Sequence, residues 1–155
     1  MKILDTNLWV FGTLEVNETA RKLLAEIDRG ETISAISAYM VQEALNAFER
    51  TPGLNPGECD ELQTLFLTRL SRMTGLIEAP SSRDFSASLL DERRSSVRTN
   101  LLGRVTGVQP KDVPILVLAF KYREREPTIY TNDERFGQFE PNRFNCEELR
   151  IEYVE

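Results

Sequence analysis

Short apolar runs alternate along this chain with longer segments whose apolar residues recur at helical spacing. A short run rich in β-branched residues is typical of a buried strand, whereas the i, i+3, i+4, i+7 spacing predicts a helix that buries one face. The runs that predict strands are residues 3–4, 32–36, 76–77, 128–130 and 151–154. The apolar stripes that predict helices are residues 20–27, 41–48, 62–73, 85–90 and 115–122.

Polar residues beside these stripes indicate where some of the helices begin and end. Asn17 or Glu18 can begin the first helix, Gly30 can end it, and Ser37 can cap the second. Two parts of the chain have no helical period. We expect a polar turn after residue 4, and residues 93–109 are polar, punctuated by glycine and left unassigned.

Strands that alternate with helices predict right-handed βαβ crossovers and a mainly parallel sheet that is covered on both faces. The expected fold is therefore α/β, a three-layer α/β/α sandwich with about five central strands. A chain of 155 residues can bury about two-thirds of its unfolded surface in one core. We expect a single domain over residues 1–155.

Composition excludes several classes of protein. The chain is 41% hydrophobic and 28% charged, and no apolar stretch approaches the ~20 residues that a membrane span needs. With no legible secretory signal, the expected location is the cytoplasm. Cys59 and Cys146 lie outside any CxxC pattern, which favours reduced thiols. The absence of histidine rules out Ser-His and Cys-His catalysis and histidine-bound zinc.

Four acidic residues stand where an α/β fold can bring carboxylates to one rim of its sheet. Asp5 follows the first strand and Asp133 the fourth, while Glu43 lies on a helix and Asp112 begins one. Strand ends and helix starts meet at the edge where such folds usually bind ligands. Because clustered carboxylates repel one another, the natural occupant of the pocket is a divalent metal ion with oxygen ligands.

Each of these residues also has a purely structural interpretation. Asp5 and Asp133 could cap local turns, Asp112 could face the positive end of a helix dipole, and Glu43 could lie on the surface. Asn7 and Thr131 are candidate supporting residues, because an amide or hydroxyl beside a carboxylate can orient a ligand or a metal-bound water. They could equally cap turns.

Positive charge is concentrated in one part of a chain whose net charge is −6. Residues 93–125 contain eight basic residues against two acidic ones. A positive belt beside an acidic pocket could attract phosphate groups, although the same residues could simply be solvated faces. The basic residues are Arg93, Arg94, Arg98, Arg104, Lys111, Lys121, Arg123 and Arg125.

Two stretches of sequence resemble the first and last signatures of PIN domains. They are residues 3–7 (ILDTN) and residues 131–136 (TNDERF). Between them, Glu43 in VQEA and Asp112 in KD resemble the two middle acidic positions of that family in order and approximate spacing. The resemblance covers nearly the whole chain. It implies a small α/β/α ribonuclease that depends on metal, and many single-domain members are VapC-type toxins paired with an antitoxin.

The resemblance and the carboxylate chemistry together imply a mechanism with Mg²⁺ or Mn²⁺. Asp5 would contact the metal, Glu43 and Asp112 would complete the first site, and Asp133 would serve a second ion or its water. The partners implied are RNA, an antitoxin protein and a second copy of the chain in a homodimer. The residues expected to grip RNA phosphates are Arg93, Arg94, Arg98, Arg104 and Lys111.

Two alternatives remain open from the sequence. One is a PIN-like module that binds RNA or protein without cutting, which the acidic balance of the chain favours. The other is a phosphohydrolase similar to haloacid dehalogenases, for which Asp5 is suggestive. That class expects a second aspartate two residues later, where this chain has Asn7.

Overall fold

A computed structural model describes residues 1–81, 83–94 and 96–155, including their side chains except at 93, 94 and 96–99. Strands and helices alternate along most of the chain. The elements are β1 (Lys2–Leu4), α1 (Thr6–Thr13), α2 (Glu18–Asp28), β2 (Ser34–Ala35), α3 (Ala38–Glu49), α4 (Pro56–Arg72), β3 (Leu76–Glu78), α5 (Phe85–Arg94), α6 (Ser96–Thr106), α7 (Val113–Lys121), β4 (Thr128–Thr131), α8 (Glu134–Gly137) and β5 (Arg150–Tyr153).

The strands pair in parallel, as the alternating pattern predicts. β1, β4 and β5 form one sheet in that order, with Ile3 opposite Ile129 and Ile129 opposite Ile151. β2 and β3 form a second parallel pair. The amide of Lys2 donates a hydrogen bond to the carbonyl of Ile33 at 3.0 Å, so β2 lies beside β1. The α/β class and the mainly parallel sheet are confirmed, and the helices are compatible with the three-layer sandwich.

Side-chain caps explain where three of the helices begin. Asn17 accepts a hydrogen bond from Ala20 N at 2.8 Å, and Ser37 accepts one from Met40 N at 3.3 Å. α4 begins with a reciprocal capping box, in which Asn55 and Glu58 each accept a backbone hydrogen bond from the other. These caps satisfy amide groups that lack a partner in the first turn of a helix.

Two segments differ from the sequence-based expectation. The polar turn predicted after residue 4 is wrong, because α1 begins at Thr6. Its run of Leu8, Trp9 and Val10 is buried on all sides, and a helix buried all round has no amphipathic period to detect. The unassigned stretch of residues 93–109 contains α6, whose Leu101 and Val105 are exposed, so it too lacks a buried stripe.

The core is centred on aromatic side chains from three helices. Phe66 of α4 contacts Trp9 of α1 and Phe48 of α3 edge-to-face, with ring centroids 6.5 and 5.6 Å apart. All three rings are buried. Such pairs add about 0.5–1.5 kcal/mol each beyond the burial of area. Within the described residues, no helix is long and apolar enough to cross a lipid bilayer.

Gly75 joins α2 to the β2–β3 pair where there is no room for a side chain. An added Cβ atom would lie 2.1 Å from the carbonyl oxygen of Thr32 and 2.8 Å from that of Ile27. Gly75 also donates its amide to Ile27 at 2.9 Å and accepts from Ser34 N at 2.8 Å. Both obstacles are backbone atoms, which cannot move aside as a flexible side chain would.

Gly75→Ala should therefore lower the free energy of unfolding by about 3 kcal/mol, since the backbones of α2 and the strands must separate. Urea unfolding at neutral pH measures this. The matched control is Gly57→Ala in the exposed first turn of α4, where the nearest atom to a new Cβ is Asn55 Oδ1 at 3.3 Å. If both substitutions changed the free energy of unfolding by a similar, small amount, the close approach of Gly75 to the Thr32 and Ile27 carbonyls would be contradicted.

Candidate functional site

The candidate site lies where the order of strands in the sheet reverses. The chain runs outward from β1 through β2 to β3 and then returns to the other side of β1 with β4 and β5. Asp5 directly follows β1, and its amide donates to the carbonyl of Tyr130 in β4 at 2.8 Å. The crevice at the carboxyl ends of strands at such a switch point is the usual ligand site of open α/β sheets.

Asp5 is buried and held at both carboxylate oxygens. Oδ1 accepts a hydrogen bond from Asn7 N at 3.2 Å, and Oδ2 accepts one from the hydroxyl of Thr131 at 2.6 Å. Burial raises the pKa of Asp5 above its usual value, although the hydrogen bonds from Thr131 and Asn7 and the charge of Lys111 oppose that shift. Asp5 caps α1 and also contacts Thr131 of β4, so its structural interpretation is confirmed and its role as a metal ligand stays a prediction.

Asp112 is also buried, but within the described part of the chain its carboxylate makes fewer hydrogen bonds than that of Asp5. Its side chain is only 5% exposed and makes no capping hydrogen bond to α7. Its Oδ2 atom is buried and has no hydrogen-bond partner among the described residues. Burial raises the pKa of Asp112 to about 7, and the charges of Asp5 and Asp133 add to the shift while Lys111 opposes it. A buried carboxylate oxygen without a donor is costly, and this oxygen is able to accept a hydrogen bond or to bind a cation.

Lys111 supplies the positive charge nearest to these carboxylates. Its Nζ atom lies 2.9 Å from Asp133 Oδ2 and 4.0 Å from Asp112 Oδ1. The hydrogen bond from Lys111 is the main reason why the pKa of Asp133 is lowered. The charge of Asp5 also raises the pKa of Lys111. The ammonium group of Lys111 thus interacts electrostatically with three aspartates. From the sequence, Lys111 is expected only to bind phosphate.

Thr131 connects the carboxylate of Asp5 to the backbone of Asp133. Its buried hydroxyl donates to Asp5, as described, and accepts a hydrogen bond from Asp133 N at 3.0 Å. Asp133 in turn caps α8 through Oδ1, which accepts from Arg135 N at 3.0 Å and from Phe136 N at 3.2 Å. Thr131 thus links the side chain of Asp5 to the main chain of Asp133, and its supporting role stays a prediction.

Asn7 makes a second connection across the same edge. Its side-chain amide donates to Asn132 Oδ1 at 3.1 Å, which ties the first turn of α1 to the residue before Asp133. Asn132 is not among the site residues predicted from the sequence. Its position between two candidate residues, Thr131 and Asp133, is the signal that could have identified it.

Glu43 stands at the edge of this group. The charges that act on Asp112 are those of Lys111, Asp5 and Asp133, whereas Glu43 is connected to the site through Tyr39. The phenol of Tyr39 is half-buried, and its pKa is raised by burial first and then by the charges of Glu43 and Asp112. Tyr39 lies one helical turn before Glu43, on the same face of α3, and this i−4 spacing could have identified it.

Glu92 holds the helix that carries Glu43. Its Oε1 accepts a hydrogen bond from Ala38 N at 3.0 Å, and its Oε2 accepts one from Tyr39 N at 2.8 Å. A carboxylate at the start of a helix satisfies free amides and is favoured by the helix dipole. Because Glu92 is distant in sequence, on α5, no local pattern reveals this contact.

The structure describes the side chains of only some of the predicted phosphate-binding residues. The side chains of Arg93, Arg94 and Arg98 lie outside the described residues. Arg104 is exposed and lines a cavity of about 390 Å³ together with Asn100, Gly103, Val108 and Pro110. Of these residues, Pro110 directly precedes Lys111 in the sequence.

The donor set fits Mg²⁺ or Mn²⁺ in its chemistry. Both ions prefer carboxylate and water oxygens, and Asp112 Oδ2 is an oxygen that needs a partner. Asp5, Asp112 and Asp133 would supply the protein ligands, with Glu43 farther away. As the side chains stand, no group of three acidic or cysteine residues among those described has the geometry to hold a metal ion.

Two comparisons with known proteins give no match. The chain matches no protein-family model, and a search of curated proteins finds no relative. The resemblance to PIN domains therefore rests on the residues quoted above.

The buried charge of Asp112 predicts how stability changes with pH. Its pKa is about 7 in the folded, metal-free protein against an ordinary value of 3.8. The folded state thus binds the proton more tightly, and this group's contribution to the free energy of unfolding falls as pH rises from about 4 to 7.

Asp112→Asn removes the buried charge and keeps the shape of the side chain. Without metal, the variant should be more stable than the parent by about 3 kcal/mol at pH 8 and by less than half of that at pH 5. Urea unfolding at the two pH values measures the difference. Asp60→Asn, on the exposed face of α4, is the control. A gain for Asp112→Asn that does not vary with pH would argue against a raised pKa.

Proposed function

We propose that this protein is a metal-dependent endoribonuclease that hydrolyses phosphodiester bonds in RNA with Mg²⁺ or Mn²⁺. The observation that carries the proposal is the buried, unpartnered Oδ2 atom of Asp112 beside Asp5 and Asp133 at the switch point of the sheet. Buried carboxylates that repel one another are strained unless they hold a cation. The sequence resemblance to PIN domains supports the same reaction.

The residues of the site would have different roles in the reaction. Asp5 and Asp112 are the most buried acids and would hold the ion, with Asp133 completing the group. When bound, the ion supplies a water of lowered pKa and a positive charge for the phosphate oxygens. Thr131 and Asn7 fix the orientation of Asp5 through their hydrogen bonds. Lys111 and Arg104 would hold phosphate groups of the substrate.

A second candidate function is a PIN-like module that binds RNA or protein without cutting. The contact between Lys111 and Asp133 at 2.9 Å favours it, because an ammonium group can neutralise part of the acidic group without a metal. Calorimetry with Mn²⁺ separates the two candidates. The nuclease requires binding that Asp5→Asn weakens, whereas the module predicts no such binding.

Asp5→Asn should abolish cleavage and leave the fold intact. Asparagine can still hydrogen-bond to Thr131 and Asn7, but it lacks the charge that holds a divalent ion. We expect cleavage of a labelled RNA with Mg²⁺ or Mn²⁺ to fall roughly 100-fold or more, while the circular dichroism spectrum is unchanged.

Two controls accompany this measurement. Asp60→Asn, an exposed aspartate on α4, should cut as the parent does, and chelation of the metal should stop cleavage by both. Undiminished cutting by Asp5→Asn would reject the assignment of the site.

We further infer that the nuclease acts as the toxin of a toxin–antitoxin pair, as the resemblance implies. Its partner would be a small antitoxin protein that places an arginine or lysine in the acidic group, where Lys111 lies now. Homodimerisation and a cytoplasmic location belong to the same proposal.

Expression of the parent chain in a bacterial host should then arrest growth, because free nuclease destroys cellular RNA. Colony counts after induction measure the effect, and Asp5→Asn expressed to the same level should be harmless. Normal growth of cells that make active parent protein would remove the toxin proposal and leave the nuclease standing.

A further inference from the structure

A second cavity lies on the side of the site where α6 ends and α8 begins. It has a volume of about 230 Å³, which is below the range of ~300–1,000 Å³ that holds drug-sized ligands. One wall is the turn after α6 and the other is α8 with the 3-10 turn after it. The lining residues are Thr106, Gly107, Val108, Arg135, Gln138, Phe139, Glu140, Arg143 and Phe144.

One lining residue of the cavity contacts Asp133 of the candidate site. Arg135 lies two residues after Asp133, and its amide donates to Asp133 Oδ1 at 3.0 Å. On the opposite wall, Val108 lines both this cavity and the one that contains Arg104. The ion pair of Lys111 and Asp133 joins the two walls. The cavity therefore borders α8, the helix that Asp133 caps.

Two aromatic rings form the floor of the cavity. Phe139 and Phe144 are stacked, with centroids 5.4 Å apart and ring planes 18° from parallel. Phe144 is 36% exposed, although a phenylalanine is usually buried. Phe144 is thus both partly exposed and part of the cavity lining. An open aromatic face is the feature on which bases of single-stranded nucleic acids stack.

The charged groups around these rings are suited to a phosphate backbone. Arg135 is exposed and has no ion pair within the described part of the chain. Arg143 pairs with Glu140, with Nε 2.7 Å from Oε2, but both side chains are exposed, and an exposed pair of this kind is weak. Arg135 is thus the group most available to an anion at this wall.

We propose that this cavity binds a nucleobase of single-stranded RNA, stacked on Phe144, next to the phosphodiester at the carboxylate group. The inference deepens the proposed nuclease function and rests on it. A base inside a duplex cannot stack on a protein ring, so the cavity selects unpaired segments. Stacking tolerates any base, and we therefore expect little preference for sequence at this position.

The test measures binding of RNA without metal, so that it does not depend on cleavage. The probe is a short single-stranded RNA that carries 2-aminopurine, and both its anisotropy and its fluorescence are followed. Phe144→Ala in the Asp5→Asn protein should bind about ten-fold more weakly than Asp5→Asn alone, the order of one lost base stack. The quenching of 2-aminopurine that stacking causes should be lost as well.

Two further variants at the same position separate stacking from packing. Phe144→Leu keeps an apolar side chain against Phe139 but has no ring, so it should bind as weakly as Phe144→Ala. Phe144→Trp keeps a ring face and should retain affinity and quenching. Full affinity of Phe144→Leu would overturn the proposal, because the ring would then be only a packing group.

Phe120 provides a matched control. It is also an exposed phenylalanine beside an arginine, with Arg123 4.9 Å from the ring centroid. It lies near the far end of α7 from Asp112, roughly 12 Å away at helical rise. Phe120→Ala should bind the probe as Asp5→Asn alone does. Equal weakening by Phe120→Ala and Phe144→Ala, or no RNA binding at all, would overturn the inference.

The outcomes also separate this inference from the proposed function. Cleavage by the parent together with binding that ignores Phe144 would reject the base site and keep the nuclease. Binding that depends on Phe144 without any cleavage would keep the base site and reject the nuclease.

Discussion

The electrostatics of the site centre on the ion pair between Lys111 and Asp133. Lys111 Nζ lies 2.9 Å from Asp133 and 4.0 Å from Asp112, and its charge also opposes the raised pKa of Asp5. Burial is the main reason why the pKa of Asp112 is raised to about 7, and the charges of Asp5 and Asp133 add to the shift while Lys111 opposes it. The fold therefore carries an electrostatic cost at this edge, which other parts of the chain must offset.

The elements that offset this cost are also those that position the site. Burial of Ile3, Ile129 and the aromatic group around Phe66 holds β1, β4 and the first helices in place. On that frame, the hydroxyl of Thr131 donates to the carboxylate of Asp5 and accepts from the backbone amide of Asp133. Buried carboxylates that lower the stability of the folded state are typical of binding sites, because a ligand that binds the folded state then raises its stability.

Periodicity in the sequence was sufficient for the strands and for the amphipathic helices, because both bury one face against the sheet. It failed for α1, whose Trp9 is buried among apolar neighbours on every side, and for α6, whose Leu101 faces solvent. The positions of Asp5 and Asp133 followed from the rule that parallel strands end at one edge. The contacts of Glu92 with the start of α3 are long-range, and no local pattern encodes such a contact.

The protonation state of Asp112 sets the net charge of the three aspartates and Lys111, and this net charge differs between the two candidate functions. With Asp112 neutral, Lys111 leaves one net negative charge on the three aspartates, which a buried group can tolerate near a polar edge. With Asp112 ionised, Lys111 and one divalent cation together balance all three carboxylates. Binding of a metal at neutral pH must therefore release a proton from Asp112, since metal ligands bind in their ionised form. The same ammonium group is compatible with a silent module and with a nuclease, and the proton on Asp112 distinguishes the two states.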